Sequence, residues 1–366
     1  MSTMTKELTN QIPTTIGILI IISVIGSIGN LLVLIIYSQK RDKSTANQFI
    51  KTLAISDCIV CLVIIPFTIY IEFNDWKVSI DMICKSYYFL NNSSIPFGAL
   101  LITLIAIDRF FCVCYPFLSL MTVKRSKVCV FIVFMMSVVL GVLSVFQVKT
   151  FKVSKNSTNM NSTLIQSECI DVSRYANPTK YELLFFTIVQ RSQLISYAIC
   201  ICVVICLYIL IYRFVLAAAR KKARLKGLNS SSTTSFLWNK FFKSRSIKRI
   251  NSDSNNDDTS VPCQTTEELM TKPGPSNNDK AIKRKFKETI LIQNFKTALM
   301  LFVVAITYIV TFLPACLMVN SSLALNLPVF YMYYINNAAN PIIYCFMNKN
   351  FREDVVNFFH QHLIKK

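Results

Sequence analysis

Residues 325–347 read LNLPVFYMYYINNAANPIIYCFM, a run with no Lys, Arg, Asp or Glu. At 1.5 Å per residue, a helix of that length crosses the roughly 30 Å hydrocarbon core of a bilayer. Yet Asn336, Asn337 and Asn340 lie in its second half and Pro341 follows them. Polar groups at membrane depth are costly, so each is read as functional by default. Working outward, six more mainly apolar stretches of crossing length lie at about 14–38, 48–71, 86–113, 128–148, 183–212 and 297–319. The reading is an all-α membrane protein, a bundle of seven transmembrane helices.

Composition agrees, with 53% hydrophobic and only 16% charged residues, against about 25% charged in soluble domains. A net charge of +20 could suggest nucleic acid, but the placement of the charge argues otherwise. Of 39 Lys and Arg, 28 fall in segments 38–47, 114–127, 213–296 and 348–366, eight in the alternate segments, and Lys51, Arg109 and Arg191 within spans. Excess Lys and Arg mark the cytoplasmic side. Residues 1–13 are thus expected to be an extracellular tail, without a cleavable signal peptide. The domain is expected over 14–347, and 348–366 as a cytoplasmic tail at the plasma membrane. No nucleic-acid partner is expected.

Of thirteen Cys, two face outward in this topology, Cys84 and Cys169. They either pair, tying the loop after the fourth span to the third helix, or remain free thiols. Sequons at Asn156 and Asn161 suit a glycosylated outer loop. Asn320 begins another, while those at Asn91, Asn92 and Asn229 are set aside by position. The centre of the third inner segment, about 229–280, is rich in Ser, Thr, Asn, Asp and Pro and reads as disordered. Its basic ends, from Arg220 and from Lys283, suit extensions of helices five and six that face lipid or a partner. Phe351, Val355, Phe358, Phe359 and Leu363 recur at helical spacing, which predicts a short amphipathic eighth helix on the inner membrane surface. No Cys follows Cys345 to carry a palmitoyl group.

The intramembrane polar residues form an ordered series: Gly29-Asn30, Leu53 to Asp57, Asp108-Arg109-Phe110 with Pro116 beyond, Tyr308 to Pro314, and Asn340-Pro341 to Tyr344. With Cys84 25 residues before Arg109, this set resembles the rhodopsin family of G-protein-coupled receptors. The resemblance covers every span. It implies a receptor that activates heterotrimeric G proteins, with Asp108, Arg109, Tyr208, Tyr308, Phe312, Pro314, Asn340, Pro341 and Tyr344 as the activation switch. Arg109, Pro116 and Phe117 are then the G-protein contacts, Phe117 alternatively being a membrane anchor.

The resemblance also implies a sodium ion at Asp57 with Asn30, Asn336, Asn337 and Asn340. Gly98 stands where a Ser ligand is common, so a sodium site and a water-filled polar cluster both stay open. No other cofactor is expected. Asn294 replaces an acid low on helix six, implying a weaker resting lock and raised basal signalling. Pro314 and Pro341 remove helix hydrogen bonds and supply kinks at which segments swing. Phe312, Tyr308, Phe134 and Cys200 stand where the family commonly has Trp, Phe, Trp and Pro. Together with Pro96 in helix three, they mark a divergent member.

For the ligand, Tyr334 replaces the Lys of light-sensing members, and Asn91 replaces the Asp that pairs with amines. The candidate pocket is Asn91, Asn92, Ile95, Gln190, Arg191, Gln193, Ser196, Phe312, Ala315, Cys316, Phe330 and Tyr334. Arg191 either pairs with a ligand carboxylate or points to headgroups. This mixed polar and aromatic set suits a neuropeptide first, then a nucleotide or lipid, then an amine. The final 22 residues hold no Ser or Thr. Receptor kinase and arrestin are therefore expected at the third inner loop, around Ser230 to Ser235 and Ser244 to Ser260. A transporter is disfavoured because no internal repeat is seen. A hydrolase is disfavoured because Asp57 is the one mid-span acid and His360 and His362 lie in the tail.

Overall fold

The computed structural model describes residues 2–40, 44–115, 120–155, 164–172, 177–225, 277–319 and 324–363. Eight helices follow in order: α1 (Ser2–Gln39), α2 (Thr45–Phe73), α3 (Asp81–Cys114), α4 (Val123–Val145), α5 (Lys180–Leu225), α6 (Asn277–Val319), α7 in three pieces, and α8 (Lys349–Leu363). Between α4 and α5 stands an antiparallel hairpin of β1 (Val148–Lys155) and β2 (Leu164–Asp171). Helices α1 to α6 contain six stretches long and apolar enough to cross a membrane. The seventh crossing is assembled from Leu327–Phe330, a 3-10 turn Tyr331–Tyr334, and Ile335–Met347.

Local chemistry explains the irregular pieces. Ser44 and Thr122 cap α2 and α4 by accepting from Asn47 N and Arg125 N at 3.2 and 3.3 Å. In α2, Pro66 returns no N–H to the preceding turn, and Val60–Ile64 widens into a π segment. The Cys61 carbonyl of that segment accepts from Ser23 Oγ of α1 at 2.7 Å. The 3-10 turn of α7 eclipses side chains three residues apart. As a result Tyr331 and Tyr334 stack at 6.0 Å and 11°.

Packing sets the layout. In its apolar stretch α3 is 61% buried and α4 only 17%, so α3 is the central post and α4 an outer one. The buried side of α4 is small: Ser126, Ser137, Gly141 and Ser144. A Cβ at Gly141 would sit 2.9 Å from the Phe89 carbonyl oxygen of α3, so only Gly permits this approach. Phe131, Met136 and Val139 on the other side are more than half exposed. In a bilayer that surface meets acyl chains, so it is a solvated face and not a liability. Gly29 does for α1 what Gly141 does for α4, since its Cβ would lie 2.9 Å from the Pro341 ring.

The end of the bundle that carries the hairpin is stapled. Cys84 and Cys169 form a disulfide between α3 and β2, the pairing expected from topology. Cys169 N donates to the Trp76 carbonyl at 2.9 Å, and Thr150 donates N–H and hydroxyl to Asp81 Oδ1 at 3.2 and 3.1 Å. Asp75 and Trp76 hold φ of 51° and 59°, an uncommon left-handed pair in the turn after α2.

At the opposite end, Phe351 of α8 is fully buried between Tyr37 and Tyr344. Asn348 donates to Tyr37 Oη at 3.2 Å, and Lys40 pairs with Asp354 at 2.7 Å. Arg352 caps the Cys345 and Phe346 carbonyls at 3.0 and 2.8 Å.

Two features differ from the sequence reading. Helix α1 begins at Ser2 and runs through Pro13, where a short tail was expected. Its Gln11 Oε1 accepts from Leu327 N at 2.8 Å, a bond to α7 that hydropathy does not report. The loop between α4 and α5 contains the hairpin, and the β-branched and aromatic residues Val148, Thr150, Phe151 and Val153 were a usable strand signal. The basic stretches that begin at Arg220 and at Lys283 lie in helices α5 and α6, as expected. Pro116, Phe117, Asn156, Asn161, Asn320 and the phosphorylation candidates lie outside the described residues.

Candidate functional site

The site runs down the bundle in three levels. At the top, Tyr334 Oη bridges three helices, lying 2.9 Å from Thr68 Oγ1 of α2 and donating to Asn91 Oδ1 of α3 at 3.1 Å. One turn higher on α2, Glu72 is buried, with 3% exposure. Its Oε1 accepts from Tyr331 Oη at 2.6 Å and Trp76 Nε1 at 3.1 Å. Burying a carboxylate requires such donors. Here they tie the first outer loop to α2 and α7.

The candidate pocket residues divide. Ile95, Phe312, Ala315, Phe330 and Tyr334 share one apolar cluster with helices α1 and α2, and Asn91 joins it through Tyr334. Cys316 packs on the neighbouring α3–α5–α6 cluster, which Phe312 also touches. Asn92 turns back to the Tyr88 carbonyl at 2.9 Å.

The α5 candidates stand apart. Gln193 donates to Ser144 of α4 at 3.3 Å, Ser196 returns to the Gln193 carbonyl at 2.8 Å, and Gln190 is half-buried. Arg191 is exposed, three residues after Ile188 and four before Ile195, both 57% exposed. That spacing puts it on the outward stripe of α5, which favours headgroups over the pocket. The assembled pocket therefore leans toward α2, α3 and α7. Glu72 and Trp76 were missed because they lie at a span end and in a loop, where hydropathy treats polar residues as ordinary, and Thr68 and Tyr331 because a neutral hydroxyl inside a span carries no charge to mark it.

At the middle level, Phe312 is packed by rings. Tyr308 stacks on it at 5.6 Å and 6°, and Tyr197 and Tyr333 approach at 4.6 and 5.4 Å. Tyr308 Oη donates to the Ile95 carbonyl of α3 at 3.2 Å. A cavity lined by Tyr334, Phe312, Tyr308, Gly98, Asn336 and Asp57, among others, continues inward from these rings.

Asp57 is 2% exposed and accepts from Asn340 Nδ2 at 2.7 Å. Asn30 Nδ2 donates to the Gly26 and Asn337 carbonyls at 2.9 and 2.7 Å. Three buried carboxamide oxygens, Asn30 Oδ1, Asn336 Oδ1 and Asn340 Oδ1, accept no hydrogen bond among the described residues. A buried carboxylate with underused oxygens close by is a donor set that fits a hard monovalent cation such as sodium.

At the bottom, Arg109 is buried. Its Nε donates to Asp108 Oδ2 at 2.9 Å, its Nη2 contacts the same oxygen, and Nη2 donates to Thr45 Oγ1 of α2 at 3.0 Å. Thr45 donates in turn to Asp108 Oδ2 at 3.2 Å, so a residue absent from the motif completes the pair. Asn294 of α6 donates to the Cys112 carbonyl of α3 at 3.4 Å. Tyr208 and Tyr344 sit in two separate apolar clusters, and Tyr344 Oη is buried without a hydrogen-bond partner among the described residues. Arg109 is thus bonded to Asp108 and Thr45, while Tyr208 and Tyr344 pack in different clusters.

Comparison with known proteins bears on this geometry. Residues 29–344 match the model of the 7 transmembrane receptor (rhodopsin family). Among curated proteins, growth hormone secretagogue receptor type 1 of Sus scrofa is 27% identical over 108 residues, 29% of each chain. The Homo sapiens protein of the same name is 27% identical over 107 residues. The G-protein coupled receptor homolog K2 of Swinepox virus (strain Kasza) is 36% identical over 97 residues, 26% of each chain. These matches span under a third of the relatives' own lengths. The family match covers most of the chain and all seven crossings from Gly29 onward, and so this chain belongs to the rhodopsin family of seven-transmembrane receptors, signalling proteins and not enzymes.

Proposed function

We propose that the chain is a plasma-membrane receptor, N-terminus outside and C-terminus inside, that takes an extracellular peptide into the bundle and activates heterotrimeric G proteins. The observation that carries the peptide reading is the Asn91–Tyr334–Thr68 bridge. It builds the pocket wall from amide and hydroxyl groups, which match the donors and acceptors of a peptide backbone. A ligand ammonium finds no carboxylate at position 91, and Glu72 is already engaged by Tyr331 and Trp76. The growth hormone secretagogue receptors are by name receptors for agents that release a hormone, which suits a ligand of that kind here.

A ligand that binds the open bundle better than the closed one shifts the balance tenfold for about each 1.4 kcal/mol of preference. Phe312 and Tyr308 would relay that shift to Arg109, and Pro314 and Pro341 would give α6 and α7 their hinges. Sodium at Asp57 would favour the closed state, with Asn30, Asn336 and Asn340 supplying oxygens. The third inner loop would take kinase and arrestin, and α8 would lie on the inner leaflet, its Phe359 and Val356 exposed to lipid.

The test is a panel of G-protein sensors in cells expressing the chain, challenged with peptide, amine, nucleotide and lipid collections. A response confined to peptides is expected. A response confined to amines or nucleotides refutes the peptide reading.

A further inference from the structure

Helix α6 carries Pro314, and Tyr308 lies six residues to its cytoplasmic side, on the arm that a hinge at Pro314 would swing. The Tyr308 hydroxyl crosses to α3 and donates to the Ile95 carbonyl. That oxygen belongs to the tertiary amide formed with Pro96, a stronger acceptor than a secondary amide carbonyl. The tyrosine is 7% exposed, so its hydroxyl is shielded from bulk solvent. Its ring stacks on Phe312, which lines the same cavity as Tyr334. Ile95 shares an apolar cluster with Phe312 and Tyr334. The bond thus joins the mobile arm to the central post directly beneath the pocket.

The α3–α5–α6 cluster that holds Tyr308 also holds a second tyrosine in the opposite condition. Tyr197 of α5 approaches Tyr308 at 5.8 Å, and its hydroxyl is buried with no hydrogen-bond partner among the described residues. Two phenols of like burial therefore differ in one respect, since one ties two helices together and the other ties none.

We propose that the Tyr308-to-Ile95 hydrogen bond is a resting latch between α6 and α3, which holds the bundle closed until displacement of Phe312 breaks it. Tyr308 is then a positioning residue for signalling, and its hydroxyl sets the basal level. A phenylalanine there would keep the ring and lose the latch. Loss of one net hydrogen bond moves a two-state balance by roughly fivefold. The inference rests on the receptor reading above, so its test needs one readout that does not pass through a G protein.

The experiment compares the full-length wild-type chain, Tyr308→Phe and Tyr197→Phe, each reconstituted in lipid nanodiscs without ligand. A trifluoromethyl-phenylalanine replacing the exposed Lys296 on the cytoplasmic part of α6 reports that helix's position by fluorine NMR. Nucleotide exchange on purified heterotrimers is measured in parallel, per receptor. Tyr308→Phe is expected to enlarge the displaced fluorine signal and raise exchange roughly fivefold, while Tyr197→Phe stays within about twofold of wild type. An unchanged fluorine spectrum in Tyr308→Phe overturns the latch. Equal increases in both variants also overturn it, because loosening of the cluster would then be the cause. A displaced fluorine signal with no exchange on any heterotrimer supports the latch and refutes the coupling reading instead.

Discussion

Asp57 and Asp108 are both buried carboxylates in one bundle, and they are served in different ways. Asp108 has a cation beside it in sequence, and Arg109 and Thr45 both converge on its Oδ2. Asp57 receives one amide N–H from Asn340, and the carboxamides of Asn30, Asn336 and Asn340 leave oxygens unused. The first arrangement is an ion pair already made. The second is a negative site short of positive charge, where a buried charge must acquire a cation or a proton. On the proposed reading the lower site would work by opening, and the upper site by admitting a cation or a proton.

The largest effect that would break this contrast comes from removing the charge of Asp108. Breaking a buried pair costs about 3–5 kcal/mol because the partner is left uncompensated. Asp108→Asn should release Arg109, lower thermal stability and raise unliganded nucleotide exchange at least about tenfold.

Next comes the cation. Sodium that binds only the folded, closed bundle stabilises it by RT ln(1 + [Na⁺]/Kd), about 1–2 kcal/mol at several times Kd. Replacing choline by sodium should raise the wild-type melting temperature by a few degrees, and Asp57→Asn should erase the difference. If wild type melts alike in both salts, the chamber is a water-filled polar cluster.

A smaller effect is expected at Thr45, where Val keeps the shape and removes the hydroxyl. One net hydrogen bond of about 1 kcal/mol predicts a severalfold rise in basal exchange. The smallest concerns Asn294, whose amide reaches the Cys112 carbonyl. An Asn294→Glu variant should lower basal exchange about two- to threefold by offering Arg109 an acid on α6. No change on either substitution would leave Asp108 as the whole lock.

The contrast also shows what a sequence discloses. Arg109 beside Asp108 and the polar residues of spans one, two and seven were readable because each is an expensive group in an apolar run. Thr45 was not, since a Thr at a helix start looks like a cap and its second bond closes only when α2 meets α3. Glu72 follows the apolar run by one residue, where an acid draws no notice, yet the turn at Asp75 and Trp76 folds an indole over it. The α5 candidates were chosen by position alone, and Gln193 found its partner on α4 instead. Side chains that commit to their own helix or to a lateral neighbour leave no trace in spacing. The crossings followed from apolar runs, and the disulfide and the family from the order and spacing of residues along the chain, whereas the pocket depends on which helices meet.

The most direct test of the whole account is unliganded nucleotide exchange on purified heterotrimers by Asp108→Asn, compared with wild type and with Asp108→Asn carrying Arg109→Ala. The single variant should exceed wild type at least about tenfold, and the double variant should fall to the receptor-free rate. Equal exchange by the single and double variants would contradict the account, because Arg109 would then not be what the closed bundle withholds.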